Sequence, residues 1–187
     1  MTKIGVIGED PNDADSIINL LSKRFPDVRF KKLAKGVTGC QLDTKKLYTS
    51  IKRDLMKEEF SQIIYIRDLD GFSSESDKRQ KLDTWFTALN KEFGEKGIFL
   101  LNIWELEALI LADIATFNKL YRISHQFSKD PTMQDKPKET LKRLTRQGSK
   151  VFHENHCPEV FKHLDIDTVE KNCGYFKSFL AELKAAV

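Results

Sequence analysis

The strongest constraint in the sequence is the alternation, over residues 3–103, of short apolar runs with longer segments of helical spacing. Four runs fit β-strands because they are short, rich in β-branched or aromatic residues and bounded by glycine, proline or polar residues. They lie at residues 3–8, 28–33, 62–66 and 98–103. Apolar residues with a helical period fill the segments between them, at residues 12–25, 43–55 and 82–93. This alternation predicts an α/β fold, with a mostly parallel four-stranded sheet flanked by helices and joined by right-handed crossovers.

After residue 104 the sequence pattern predicts helices and no further strand. Apolar residues repeat with a helical period at residues 105–118, 138–146, 158–164 and 174–185. The polar stretch 124–137, which contains Pro131 and Pro137, fits a loop or a hinge. We therefore expect an α/β domain at residues 1–123 and a helical C-terminal extension at residues 124–187 that packs on it.

Composition excludes several classes of protein. Of the 187 residues, 40% are hydrophobic and 32% are charged, which is typical of a globular chain and argues against disorder or a coiled-coil rod. The longest apolar run, around residues 108–112, is far shorter than the roughly 20 residues of a membrane-spanning helix. Residues 1–9 lack the apolar centre of a signal peptide, and the cysteines form no Cys-x-x-Cys pair. We expect a cytoplasmic protein with reduced thiols.

Carboxylates follow three of the four predicted strands. Glu9 follows the first strand, Asp68 and Asp70 follow the third, and Glu105 and Glu107 follow the fourth. The carboxyl ends of parallel strands meet at one edge of a sheet, where α/β proteins bind their ligands. Because Mg²⁺ and similar hard cations bind oxygen ligands, and because like charges at one edge repel each other, this pattern predicts a shared cation site.

A structural role is the alternative for some of these acids, since carboxylates at strand ends also cap the helices that follow. Asp10, Asn12 and Asp13 suit such a role at the start of the first helix. One acid alone does not separate the two interpretations. Because acidic residues follow three different strands, the pattern as a whole favours the cation site.

Five segments carry a resemblance to a known family. They are 8–13 (Gly-Glu-Asp-Pro-Asn-Asp), 67–70 (Arg-Asp-Leu-Asp), 105–113 (Glu-Leu-Glu-Ala-Leu-Ile-Leu-Ala-Asp), 136–141 (Lys-Pro-Lys-Glu-Thr-Leu) and 173–179 (Cys-Gly-Tyr-Phe-Lys-Ser-Phe). Together they resemble the bacterial domain-of-unknown-function family 4276 over nearly the whole chain. Glu9, the Asp-x-Asp pair and a glutamate after the next strand also resemble the Toprim fold of topoisomerases, DnaG-type primases and overcoming-lysogenization-defect nucleases. Two positions depart from the family pattern, since Asp10 stands where glycine is common and Leu109 where tryptophan is common.

The resemblance implies a Toprim-like α/β domain and a metal-dependent nuclease, in phage defence or DNA repair. Mg²⁺, or alternatively Mn²⁺, would polarise the phosphodiester and activate the attacking water. The implied catalytic residues are Glu9, Asp68 and Asp70, and the implied metal ligands are these three together with Glu105 and Glu107. The implied partners are DNA or RNA and a partner protein such as an ATPase.

A cluster of basic residues in the C-terminal part is the predicted nucleic-acid contact. The whole chain has a net charge of only +3, so local clustering matters more than the total. Lys138, Lys142 and Arg146 share one helix face at spacing i, i+4 and i+8, with Arg143 beside them, which suits a row of phosphates. A solvated helix face is the alternative interpretation. The basic loop at residues 29–35 is a second candidate.

Two other functions fit parts of the sequence. Residues 7–14 resemble the opening of a response-regulator receiver domain, in which Asp68 would be the phosphoacceptor. A receiver does not account for Glu105, Glu107 or the helical tail. A Toprim-like module that has lost catalysis and binds a partner protein would have nearly the same sequence as an active enzyme.

Overall fold

A four-stranded parallel sheet forms the centre of the computed structural model, which describes residues 1–127 and 129–187. The strands are β1 (Thr2–Ile7), β2 (Val28–Lys32), β3 (Gln62–Asp68) and β4 (Gly97–Asn102). Their order is β2-β1-β3-β4, and every neighbouring pair is parallel. The predicted α/β class and parallel sheet are therefore confirmed. The carboxyl ends of the four strands lie at one edge of the sheet.

Helices connect the strands and make up the C-terminal part. The α-helices are α1 (Pro11–Leu21), α2 (Lys45–Leu55), α3 (Ser76–Glu92), α4 (Ala108–Ala112), α5 (Ile114–Tyr121), α6 (Pro137–Thr145), α7 (Cys157–His163), α8 (Ile166–Asn172) and α9 (Gly174–Ala186). Short 3₁₀ helices occur at Gly39–Asp43, Pro131–Met133 and Glu154–His156. Ser128, within the predicted loop 124–137, lies outside the described residues. In the described part of the chain, no helix is both long enough and apolar enough to cross a membrane.

The sheet separates two hydrophobic cores. Ile4 and Ile64 belong to the larger core, with α1 and the C-terminal helices, whereas Ile63 and Tyr65 belong to a smaller core with α2 and α3. Successive side chains of a strand point to opposite faces, so a strand covered on both faces must be apolar at every position. This explains why the sequence of β3 reads as one continuous apolar run.

The C-terminal helices cover the face of the sheet that carries the larger core. Phe152, Phe161 and Phe176 are fully buried in the same cluster as Ile4 of β1. Helix α7 packs on α1, and α9 packs on β4. The late helices and the early strands therefore share one core.

The sequence-based prediction is wrong in three details. The expected helix at 105–118 is divided into α4 and α5 at Asp113, whose buried carboxylate caps α5 through the Thr116 amide and also accepts a hydrogen bond from the Asp165 amide at 2.8 Å. Helix α8 was not predicted, because its seven residues contain few apolar side chains. Thr44 caps α2 instead of Asp43, which forms an ion pair with Arg67.

Candidate metal centre

Carboxylates from three strand ends line one pocket of about 210 Å³ at the carboxyl edge of the sheet. We call it the acidic pocket, and its lining residues are Glu9, Asp10, Asn12, Asp13, Asp68, Asp70, Glu105, Glu107, Lys138, Glu154 and Cys157. The five acids chosen from the sequence as metal ligands are all present in this set. Parallel strands produce this convergence, since each one delivers the residues that follow it to the same edge.

Glu9, at the end of β1, forms an ion pair with Arg67 of β3. The Arg67 Nε donates to the Glu9 carboxylate, and its Nη1 donates to Asp43 at 2.9 Å. The guanidinium also lies 4.6 Å from the centre of the Trp85 ring. Burial raises the pKa of Glu9 and the Arg67 charge opposes this effect, with a net shift upward. Arg67 therefore fixes the orientation of Glu9. Sequence analysis missed it, because it lies at the end of an apolar strand.

The turn between β1 and α1 adds Asp13 to the pocket. Asp10 accepts a hydrogen bond from the Asn12 amide at 2.8 Å, and Asp13 accepts one from the Asp10 amide at 2.8 Å, which together form a capping box. Burial is the main reason that the pKa of Asp13 rises to about 7, and the charges of Asp10 and Glu9 add to it. Asp13 is thus both a helix cap and a pocket wall, whereas its sequence pattern indicated the cap alone.

Gly8 makes this turn possible. A Cβ atom at position 8 would lie 2.8 Å from the Asp13 Cβ and 3.0 Å from the Ala14 amide nitrogen. Such contacts are shorter than packed carbon atoms tolerate. The glycine therefore lets the start of α1 approach the end of β1 and brings Asp13 against the strand.

Asp68 occupies the centre of the pocket, because β3 lies between β1 and β4. It is half-buried and accepts a hydrogen bond from the Asn102 side chain at 2.9 Å, across the register that pairs Asp68 with Asn102. Burial raises the pKa of Asp68 well above its usual value, and the charges of Asp13, Glu107 and Glu9 raise it further. This carboxylate has little positive charge around it.

Asp70 reaches the pocket by a different route from Asp68. The strand ends at Asp68, and Asp70 is exposed with a left-handed backbone (φ 51°). Its amide donates to the Trp104 carbonyl at 3.0 Å, and its carbonyl accepts from the Lys78 ammonium at 2.8 Å. Asp68 and Asp70 therefore line the same pocket because the chain turns after Asp68. They do not lie on one face of a single strand.

Glu105 and Glu107, which follow β4, have different environments. Glu105 accepts a hydrogen bond from the Lys138 amide at 3.1 Å and lies 3.3 Å from its ammonium. Glu107 is only 6% exposed, and the Cys157 thiol donates to it at 3.8 Å. Burial raises the pKa of Glu107 to about 7, with a smaller contribution from the Glu105 charge. The Lys138 ammonium thus neutralises the Glu105 carboxylate, whereas no positively charged group lies at similarly short range from Glu107 among the described residues.

The donor atoms fit a hard divalent cation by their chemistry. They are carboxylate oxygens, and the raised pKa values of Asp13, Asp68 and Glu107 indicate charges that a cation would stabilise. Within residues 1–127 and 129–187, however, no group of three or more His, Cys, Asp or Glu side chains is arranged to hold a metal ion. A site with three or more protein ligands would therefore require these carboxylates to move closer together.

The predicted nucleic-acid surface is divided between two environments. Lys138 points to the acidic pocket, and Lys142 pairs with Glu139 at 3.2 Å and Glu154 at 3.0 Å. Arg143 and Arg146 are exposed and make no ion pair with any of the described residues. These two arginines remain available to an anionic partner, whereas both lysines already have acidic neighbours.

Comparison with known proteins identifies the family of the chain. No curated protein and no solved structure matches it. A family model, described as Domain of unknown function (DUF4276), matches residues 9–184. That range includes every residue that lines the acidic pocket. The chain therefore belongs to the DUF4276 family.

Proposed function

We propose that this protein is a metal-dependent nucleic-acid phosphodiester hydrolase of the Toprim type, with Mg²⁺ or Mn²⁺ bound in the acidic pocket. The observation that carries the proposal is the convergence of acids from three strand ends on one small pocket. Three of these acids, Asp13, Asp68 and Glu107, have raised pKa values because desolvation and neighbouring like charges disfavour their ionised forms. Such a site binds protons or a cation, and near neutral pH a divalent cation competes well with protons.

The relation to Toprim proteins is part of this proposal. Glu9 follows β1 and the Asp-x-Asp pair follows β3, and these two strands are neighbours in the sheet. The Toprim resemblance rests on these two elements and on a glutamate after the next strand, in the same chain order. Adjacent strand ends allow the glutamate and the aspartates to act on one ligand.

Each group in the pocket has a role in the proposed reaction. Asp68 and Glu107 would hold the cation, with Asp70 at the exposed mouth of the pocket. A bound divalent cation supplies Lewis-acid stabilisation of the phosphate oxygens. Arg67 holds Glu9 in place, so that Glu9 can accept a proton or a hydrogen bond from the attacking water.

Lys138 adds a positive charge beside these acids. Its ammonium lies 3.3 Å from Glu105 and 3.9 Å from Glu154. A phosphate entering the pocket would meet this charge, which can stabilise the negative charge of the transition state. Arg143 and Arg146, on the exposed side of α6, would contact phosphates farther along the strand.

The test is a cleavage assay with single- and double-stranded DNA and RNA, each labelled at one end, in the presence of Mg²⁺ or Mn²⁺. The wild-type protein is compared with Asp68→Asn, which preserves size and removes the charge. Asp83→Asn, an exposed change on α3, is the matched control. We expect cleavage by the wild type and the control, and its loss in Asp68→Asn. Equal cleavage by Asp68→Asn would eliminate the proposed metal mechanism.

A partner-binding module without catalysis is the second candidate function. One observation favours it, because the described residues include no three-ligand group already arranged around a metal. Calorimetric titration with Mn²⁺ distinguishes the two functions. An enzyme of the proposed kind binds Mn²⁺ in the wild type and loses this binding in Asp68→Asn, whereas a module without catalysis shows no binding and no cleavage.

A further inference from the structure

A second pocket lies beside the acidic pocket, on the other side of the turn that follows β1. It has a volume of about 310 Å³ and is bounded by the first turn of α1 and by the loop that follows β2. We call it the β2-loop pocket, and the residues that matter for its chemistry are Asp10, Ala14, Lys32, Leu33, Lys35 and Val37. Asp10 lines both pockets. A ligand that fills the β2-loop pocket therefore reaches the edge of the acidic pocket.

Hydrogen bonds hold the loop that forms one wall of the β2-loop pocket. The Leu33 amide donates to the Val6 carbonyl, the Ala34 amide donates to the Asp54 carboxylate, and the Gly39 amide donates to the Glu9 carbonyl, each at 2.9 Å. These bonds attach the loop to β1, to α2 and to the turn that carries Glu9. The pocket is therefore formed before any ligand arrives, as small-molecule sites commonly are.

The wall of the pocket combines an apolar floor with a basic rim. Ala14, Leu33 and Val37 are buried and form the floor. Lys32 is neutralised by Asp15 at 2.5 Å, but Lys35 is exposed, and among the described residues no acid pairs with it. Lys35 also borders a neighbouring pocket that contains Lys31, Arg53 and Lys57. A ligand with a flat apolar part and an anionic group matches this arrangement.

We propose that the β2-loop pocket binds one nucleotide of the substrate, with its base over Ala14 and Val37 and a phosphate toward Lys35. This inference rests on the proposed hydrolysis of nucleic acid and specifies its substrate. A volume of about 310 Å³ is near the lower end of the roughly 300–1,000 Å³ of small-molecule sites. It accommodates a single nucleotide and not a base pair, so the substrate enters as a single strand or with one nucleotide unstacked.

The experiment is a titration of the isotopically labelled full chain, in EDTA, with AMP, UMP, ribose 5-phosphate and inorganic phosphate, followed by backbone amide NMR signals. The amides of Ala14 and Gly36 report on the β2-loop pocket. We expect AMP and UMP to shift both signals and to bind at least about ten-fold more tightly than ribose 5-phosphate, because ribose 5-phosphate lacks the base that would cover the apolar floor of the pocket. Omission of metal separates this binding from hydrolysis.

Three variants complete the test. Lys35→Glu should weaken the binding of AMP by about five- to ten-fold, because it places an anion at the phosphate. Lys81→Glu, an exposed charge reversal on α3, should leave binding unchanged. Asp68→Asn should also bind AMP normally, so that a failure of the hydrolytic mechanism is distinguishable from a failure of the nucleotide site.

Three results would overturn the nucleotide proposal. The first is the absence of shifts at Ala14 and Gly36 with AMP and UMP at millimolar concentrations. The second is equal binding of ribose 5-phosphate or inorganic phosphate, which would make the site a simple anion site. Equal loss of AMP binding in Lys35→Glu and Lys81→Glu would also contradict it, because the effect would then come from the total charge of the protein.

Discussion

Replacement of Glu107 by glutamine should stabilise the metal-free protein at high pH and have little effect at low pH. The pKa of Glu107 rises from 4.5 to about 7 in the folded protein, mainly because the side chain is buried. Between pH 4.5 and about pH 7, Glu107 is therefore protonated in the folded state but ionised in the unfolded state. Ionisation of Glu107 then opposes folding by about 3 kcal/mol at most, from 1.36 kcal/mol for each pKa unit.

The direction of the pH dependence follows from the same linkage. The protonated carboxyl contributes fully to stability below pH 4.5, and this contribution is lost as the pH rises through about 7. The free energy of unfolding of the wild type should therefore fall by about 2 kcal/mol relative to Glu107→Gln between about pH 5 and pH 8. The glutamine preserves the shape of the side chain, and its amide oxygen can still accept the hydrogen bond from Cys157.

Urea denaturation in EDTA, followed by circular dichroism at several pH values, measures this difference. Glu59→Gln is the control, since Glu59 is exposed and makes no ion pair within the described residues. A difference between Glu107→Gln and the wild type that stays constant from pH 5 to pH 8 would refute the reasoning. Addition of Mg²⁺ should stabilise the wild type more at pH 8 than at pH 5, and it should stabilise Glu107→Gln less than the wild type, because the cation replaces the proton.

Three further changes test the structure around the pocket. Arg67→Met should lower the free energy of unfolding by about 1–3 kcal/mol, measured with urea, because it leaves the half-buried Glu9 carboxylate without its partner. Lys138→Met should increase the affinity for Mn²⁺ in calorimetry, because it removes the cation that now neutralises Glu105; an unchanged affinity would show that Glu105 does not contact the metal. Gly8→Ala should lower the midpoint of urea denaturation, with a loss of about 1–3 kcal/mol, since its new methyl group would collide with Asp13.

The sequence predicted the sheet well because burial on both faces leaves a strong pattern. The strand at Gln62–Asp68 reads as a nearly continuous apolar run, and glycine or an acidic residue marks where β1 and β3 end. The acids after three strands were predicted to meet, and they line one pocket. That inference is possible because all strands of a parallel sheet end at the same edge, so residues far apart in the chain come together there.

The partners of these acids could not be predicted from the sequence, for a physical reason. Lys138 lies in a pattern typical of a solvated basic helix, and only the packing of α6 turns its side chain toward Glu105. Arg67 ends an apolar strand, where a buried ion pair leaves no periodic signal. Asp13 fits an ordinary helix cap, and its second role depends on the close approach that Gly8 permits.

The contact between Lys138 and Glu105 has a consequence for the order in which the protein matures during synthesis. When a ribosome has released only residues 1–123, the whole sheet exists, but Glu105 has no neighbouring ammonium and one apolar face still lacks its cover. Completion of the acidic pocket awaits Lys138, Glu154 and Cys157, and completion of the larger core awaits α9 with Phe176. A chain that ends before α9 would therefore leave part of the larger core exposed to solvent.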